Sequence, residues 1–416
     1  MRWLRTLLLA STVLAAPLFA GCDAGVGSSS DDITDVPHTD VERQSIGNCW
    51  LYAQASWVES MHLARTGVKF DTSQSYWTYW HWYDEVLAGY GDEIETGGTQ
   101  WVSNDLVLDR GIISEAKFVA ADTQSEMSQR QASALAKMNE ELKTGRLSTE
   151  SARRNPATVR AVLDDAWQLT PSVKGMLTKA FGKDGQKTLR SGGTPYGAIL
   201  AADEFQVRYT SRANGATTVK DTTLDVAIDE WRVATYPTYG SNLDQKRRDF
   251  QIRVQRALHD RQPVVITWDV DFNAMESSDP TLRGSFNLTT LKKAGKPGRQ
   301  GGHMTVLEDY EATTQEFGLL AAGVTLDPSI PEDQEKLDAA LLPSTSIKFF
   351  RVKNSWGAFR DDRSSAPGMP GYHDLYMDYM NGPIAFCPSV EGTKDPATNC
   401  KSTTVPFSDV MLPPGY

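Results

Sequence analysis

Between positions 50 and 182 the apolar residues recur at helical spacing. Trp50, Ala53, Trp57 and Met61 share one helical face and Leu51, Ala55 and Val58 another, which predicts a buried helix closed by Gly67. Leu135, Met138 and Leu142 form a stripe closed by Gly145, and Val159, Val162, Leu163 and Ala166 form a second after Pro156. Thr170-Pro171 is a good helix start, followed by Val173, Met176, Leu177 and Ala180 and closed by Gly182. The period then changes. Residues 304–310 read as a strand, and residues 349–353 alternate like one. Between them, residues 311–346 contain Pro328, Pro331 and Pro343 and read as an extended loop joining two paired core strands.

The N-terminus has a different pattern. Arg2 and Arg5 precede an apolar run over residues 7–20, which is short for a span of ~20 residues and reads as a secretory signal over residues 1–21. A retained anchor helix is the competing reading. Leu18-Phe19-Ala20-Gly21-Cys22 resembles a bacterial lipobox, which implies lipidation of Cys22. The polar residues 22–39 read as a flexible tether. An acyl group on Cys22 would hold the chain at a membrane surface without a spanning helix, so the expected location is exported, in a bacterial cell envelope.

Composition narrows the classes. The chain has 416 residues, 40% of them hydrophobic and 23% charged, which excludes collagen-like, low-complexity and polytopic membrane proteins. A net charge of −11 argues against nonspecific nucleic-acid binding. Four cysteines are too few for a disulfide scaffold, so each needs its own explanation. Cys387 and Cys400 bracket a short polar segment, and in an exported chain they are expected to pair; two free thiols are the alternative. No repeat, phosphate loop or metal-ligand cluster stands out, so neither metal nor cofactor is expected. Asp31-Asp32 and Asp361-Asp362 read as solvated charge.

Cys49 carries the candidate chemistry. It lies at the start of the first predicted helix, where unpaired N–H groups and the helix dipole favour a thiolate. On position alone a buried structural cysteine is the commoner reading. A cysteine nucleophile also needs a histidine to hold its proton and a third group to orient that histidine. Of six histidines, His38 falls in the tether, His62 and His81 in helical or aromatic contexts, His259 at a charged helix end, and His373 after Gly371-Tyr372. His303 follows Gly301-Gly302 and begins a core strand, which suits a cleft that another chain approaches closely. Asn354 follows the alternating strand; its amide oxygen can accept from the histidine, and Trp356 can shield that bond.

Gly47-Asn48-Cys49-Trp50 and Asn354-Ser355-Trp356-Gly357 after Lys353 resemble the nucleophile and asparagine segments of papain-like cysteine peptidases. The order Cys, His, Asn also fits. The bleomycin-hydrolase group is the most similar. Ser73-Gln74-Ser75-Tyr76 with the aromatic run Trp77, Tyr79, Trp80, Trp82 and Tyr83 resembles that group's second helix, and His303-Met304-Thr305 resembles its histidine segment. The similarity covers roughly residues 40–115 and 250–385. It implies an α+β fold of two subdomains, a helical half and an antiparallel β-barrel-like half. A helical insertion is expected at about 116–249, and a C-terminal extension after about 385, within a peptidase domain over residues 40–416. It implies Cys49 as nucleophile, His303 as its proton partner in a thiolate–imidazolium pair, Asn354 as orienting group and a peptide or protein as substrate.

The pattern departs from the family in places. Arg43 occupies the position expected for the oxyanion-hole glutamine, and Gln44 sits one residue closer to Cys49, so it serves only if the loop is locally tightened. The chain also continues well past Asn354, which disfavours a C-terminus lying in the cleft. Two other classes stay open: a transamidase using the same triad, and a papain-fold binding module with a defective cleft. Homo-oligomerisation through the insertion is left open as well.

Overall fold

In the computed structural model, which describes residues 36–89, 91–119, 124–360, 362–387, 400 and 402–416, the first regular element is helix α1 (Cys49–Thr66). Residues 1–35, including the leader, Cys22 and most of the expected tether, lie outside the described residues. α1 stops at Gly67, whose φ of 71° suits glycine and whose N–H bonds Leu63 O at 2.8 Å. Both of its predicted apolar faces are buried, so the helix is wrapped on all sides.

Around it stand α2 (Gln74–Ala88) and α3 (Gln100–Arg110), followed by α4 (Glu115–Phe118), α5 (Gln124–Lys143), α6 (Glu150–Arg153), α7 (Pro156–Ala166) and α8 (Pro171–Phe181). Their starts follow local chemistry: the side chains of Ser73, Thr99, Asn155 and Thr170 each accept a first-turn N–H. The aromatic run of α2 is buried, and the Arg110 guanidinium sits 4.0 Å over the Trp80 ring while pairing Asp84 at 3.0 Å.

The expected helical insertion is not all helix. Strands β1 (Gln206–Ala213) and β2 (Ala216–Thr223) form a hairpin through Asn214-Gly215, both at positive φ, the residue pair a two-residue turn favours. Helix α9 (Leu224–Glu230), strand β3 (Arg232–Thr235) and helix α10 (Leu243–His259) follow.

The second half contains β4 (Val264–Asp271), helix α11 (Leu288–Ala294), β5 (Gln300–Thr314), β6 (Gly318–Leu320), helix α12 (Pro331–Ala340), β7 (Ser346–Lys353), β8 (Tyr372–Tyr376), helix α13 (Met377–Met380), β9 (Ile384–Phe386), β10 (Ser402–Thr404) and β11 (Phe407–Leu412). The main antiparallel sheet has the order β3-β11-β4-β5-β7-β8, with β6 beside the far end of β5. The fold is therefore α+β with a helical half and an antiparallel half, and the sheet stays open. β5 and β7 are paired as expected, and the loop between them folds into β6 and α12.

The C-terminal segment is no appendage: β11 lies between β3 and β4, one strand in from the β3 edge of the sheet. The sheet separates two apolar cores. Val265, Met304 and Val306 face the helical half, whereas Val264, Ile266 and Trp268 face the core containing Phe250 and Val254 of α10. The end of the expected tether also departs from expectation. Val36, His38 and Thr39 are buried, and His38 lies 3.8 Å from Glu308 and bonds the Tyr372 hydroxyl at 3.1 Å.

Several buried carboxyls make stability depend on pH. Burial pushes Glu59 and Glu85 up to about 7 and Glu115 up to about 8. The native state keeps protons that the unfolded chain releases, so this stabilisation is complete below about pH 4.5 and fades as pH rises through 7–8. Burial also lowers His38, His259, His303 and His373 to about 4, and their contribution is lost only as pH falls from 6.5 toward 4. Above pH 6.5 the acids dominate. The melting temperature is therefore expected to fall between pH 6.5 and 8.5, and Glu115→Gln to flatten that slope. An unchanged slope in the variant would remove Glu115 from the explanation.

Candidate active site

Cys49 is the first residue of α1, preceded by Asn48 at the cap position. The Asn48 side chain leaves the helix end uncapped and bonds Thr78 and Gln131 instead. The thiol is buried at this terminus, against the N–H of Met304 on β5. The aromatic neighbour Trp50 is clamped: its Nε1–H donates to Thr96 O at 3.0 Å, and a Cβ on Gly98 would lie 2.3 Å from its ring.

His303 stands on β5 opposite Trp268 of β4. Its Nε2 is 2.8 Å from Asn354 Oδ1, just beyond the end of β7. An amide oxygen only accepts, so Nε2 carries the hydrogen and Nδ1 is left as the basic nitrogen. Trp356 stacks on the imidazole with centroids 4.9 Å apart and planes 20° apart, and Trp268 meets it edge-on at 5.6 Å. The two indoles flank the imidazole that makes the His303–Asn354 bond.

The chain just before Cys49 is stitched to the chain just after Asn354. Arg43 and Trp356 form an antiparallel bridge, Gln44 N–H donates to Ser355 O at 2.8 Å, and Gly357 N–H donates to Glu42 O at 2.8 Å. Ser355 Oγ also donates to Gln44 Oε1. Gln44 Nε2 donates to Ile46 O at 2.8 Å, folding the 44–47 segment back on itself. That tightening brings Gln44 into the cleft wall, while Arg43 turns into the bridge.

The cleft encloses about 530 Å³ and is lined by Gln44, Gly47, Cys49, His303 and Trp356, with Gly301 and Gly302 on its floor. A Cβ on either glycine would meet nothing within 4 Å, so the floor is open to an approaching chain. Burial pushes the Cys49 thiol up to about 11, although the N–H groups of Met304, Trp50 and Cys49 itself oppose this. Burial likewise lowers His303 to about 4, against the opposing hydrogen bond it donates to Asn354. Burial thus works against both charges of the expected thiolate–imidazolium pair, while the local hydrogen bonds favour them. No hydrogen bond joins the thiol to the ring among the described residues.

Sequence reasoning missed the other wall. Phe272, Arg299, Arg360 and Arg363 line the cleft, and so does Asp362, which had been read as solvated charge. Asp362 is held between Arg360 at 2.8 Å and Arg363 at 2.8 Å. These residues are dispersed along the chain in no recognisable motif, so nothing in the sequence marked them.

Two further placements bear on the expectations. Cys387 and Cys400 form a disulfide with Cα atoms 4.9 Å apart, beside the β9–β10 pair. Glu42, Glu59 and Asp71, far apart in sequence, gather with carboxylate oxygens within 4.8 Å of one another. Burial raises all three, and the neighbouring Lys353 ammonium opposes this at Glu42 and Glu59. Lys353 itself bonds Thr39 at 3.0 Å and Ser56 at 3.3 Å.

A scan of protein-family models finds no match, and no curated protein matches. Among solved structures, the chain is similar to xylellain, a cysteine protease from Xylella fastidiosa, at 12% identity, covering 93% of this chain and 86% of that one with a TM-score of 0.36. It is also similar to the bromelain protease from Ananas comosus in complex with the E64 inhibitor, at 12% identity, 91% and 94% coverage and a TM-score of 0.33. The clostridial cysteine protease Cwp84 after propeptide cleavage matches at 10% identity, 89% and 57% coverage and a TM-score of 0.30. None of these three is a bleomycin hydrolase, so that narrower likeness rests on the sequence motifs alone.

Proposed function

We propose that the protein is a papain-like cysteine peptidase that uses Cys49, His303 and Asn354. The observation that carries this reading is the His303 Nε2–Asn354 Oδ1 bond of 2.8 Å under Trp356, on a ring that lines the same cleft as a helix-terminal cysteine. In the reaction, Nδ1 of His303 takes the thiol proton as sulfur bonds the peptide carbonyl carbon. The oxyanion is held by the Cys49 backbone N–H and the remaining hydrogen of Gln44 Nε2; such a donor is worth ~3 kcal/mol of barrier. The carbon–nitrogen bond then breaks, and His303 gives its Nδ1 proton to the leaving amine. A water, deprotonated by the same nitrogen, attacks the thioester and restores the thiol. Asn354 keeps the ring oriented throughout.

The narrower likeness to bleomycin hydrolases is part of the same proposal and is supported by the aromatic run of α2 and by His303-Met304-Thr305. Export and lipid anchoring at Cys22 are supported by the N-terminal sequence, and a disulfide suits an oxidising compartment.

An epoxysuccinyl inhibitor tests the peptidase reading. One label per chain is expected on the wild-type protein and none on Cys49→Ala or His303→Ala. A wild-type protein that takes no label would favour a binding module instead.

A further inference from the structure

The cleft carries a positive charge on an acidic protein. The whole chain has a net charge of −11, yet the described residues lining the cleft include three arginines and a single carboxylate. That carboxylate is fully engaged: Asp362 binds Arg360 through both oxygens, at 2.8 and 2.9 Å, and Arg363 at 2.8 Å. Arg299 has no carboxylate partner among the described residues. Its guanidinium carbon lies 4.4 Å from the centroid of Phe272, and that of Arg363 lies 4.4 Å from the same ring. Burial disfavours the Arg363 charge most, and the nearby Arg360 and Arg299 disfavour it further while Asp362 opposes this. Two guanidiniums within 4.4 Å of one aromatic ring line the cleft, one of them without a carboxylate partner among the described residues, and planar guanidinium donors suit an oxyanion.

The pair's position relative to the chemistry tells which part of a substrate it meets. His303 protonates the leaving amine, so the leaving segment starts over the imidazole. Trp356 stacks on that imidazole, and Arg363 lies 5.4 Å over Trp356. Phe272 is 5.4 Å from Trp356. At about 3.5 Å per extended residue, Arg363 falls within about three residues of the scissile bond on the leaving side.

We propose that Arg299 and Arg363 bind a substrate carboxylate in the leaving segment and make the enzyme selective for it. The inference rests on the peptidase reading for its direction. The carboxylate has two sources, an Asp or Glu side chain or the free C-terminus of a short leaving segment.

A peptide library randomised around the cleavage point and prepared with free and with amidated C-termini separates these sources. Acidic side chains are expected to be enriched about tenfold in the first three leaving positions, or else amidation is expected to slow cleavage about tenfold, the ratio a single charge-assisted contact supports. Either preference should weaken as salt rises and should collapse toward unity in Arg299→Gln and in Arg363→Gln. Binding of paired Glu and Gln peptides to the Cys49→Ala protein, followed by fluorescence anisotropy, asks about recognition without turnover. Equal binding and cleavage of carboxylate-bearing and neutral peptides would overturn the proposal, as would a preference unchanged in the arginine variants. Carboxylate-selective binding by a wild-type protein that hydrolyses nothing would retain the receptor and sink the peptidase reading instead.

Discussion

Cys49→Ser is expected to lower kcat/KM for peptide hydrolysis by about 10⁴-fold or more, with the circular dichroism spectrum unchanged. The substitution replaces one sulfur by oxygen at the first residue of α1 and leaves the cleft walls in place. The loss is large because a thiol, even one that burial pushes up to about 11, ionises far more readily than a serine hydroxyl. His303, lowered to about 4 by burial, is a weak base. It can draw a proton from a polarisable thiol as the carbon–sulfur bond forms, but a hydroxyl is far less acidic and gains little from such a base. What remains comes from the oxyanion donors and substrate binding, since members of a triad act as a unit. The same reasoning places the acidic limb of the wild-type kcat/KM profile near pH 4, where the imidazole becomes protonated and no longer accepts. A serine variant retaining a tenth of the activity would show that Cys49 is not the nucleophile.

Gly111→Ala is expected to destabilise the protein by about 3–5 kcal/mol, which combines a strained backbone with a steric overlap. Gly111 ends α3 with φ 72° and ψ −160°, a region essentially reserved for glycine. A Cβ there would lie 2.2 Å from Leu200 O. The backbone has little room to yield. Its N–H bonds Val107 O at 2.8 Å, its carbonyl accepts from the Trp77 indole at 2.9 Å, and Ile112 exchanges two bonds of 2.8 Å with Leu200. Gly89→Ala is the control. Its φ is 81°, but nothing lies within 4 Å of the added carbon, so only about 1–2 kcal/mol of conformational strain is expected. Urea unfolding with an unchanged m-value measures both. Equal losses in the two variants would show that the contact with Leu200 contributes nothing.

The two sides of the chemistry differed in how readable they were. Cys49 and Asn354 sit in compact motifs, and His303 was singled out by its glycines and its strand, so the central residues could be named from sequence. The arginine wall could not. Arg360 and Arg363 are near one another in sequence, but Arg299 joins them only through the fold, with Arg299 and Arg363 each within 4.4 Å of the Phe272 ring. Gln44 looked one residue out of place until its own hydrogen bond to Ile46 drew the loop in. In the fold, the helices with clear caps and stripes appeared where expected, with α8 running from Pro171 to the glycine at 182. The β1–β2 hairpin was missed because β2 is threonine-rich and largely exposed, so it carries no hydrophobic alternation; the Asn214-Gly215 turn was its one local signal. β11 was taken for an extension because it is short and follows a polar segment. Its core position depends on partners well over a hundred residues earlier in the chain.

That placement of β11 ties the completion of the sheet to the order of synthesis. β4 supports β5, which carries His303, and β4 has β11 as its other neighbour. A chain growing from its N-terminus makes Cys49 early and Asn354 much later, but β4 keeps an open edge until residues 407–412 exist. The long-range closure of this sheet is then a late step in folding. A nascent chain can carry all three reacting side chains before the strand that completes their platform has been made. The platform under His303 is therefore completed by a segment made after Cys49, His303 and Asn354.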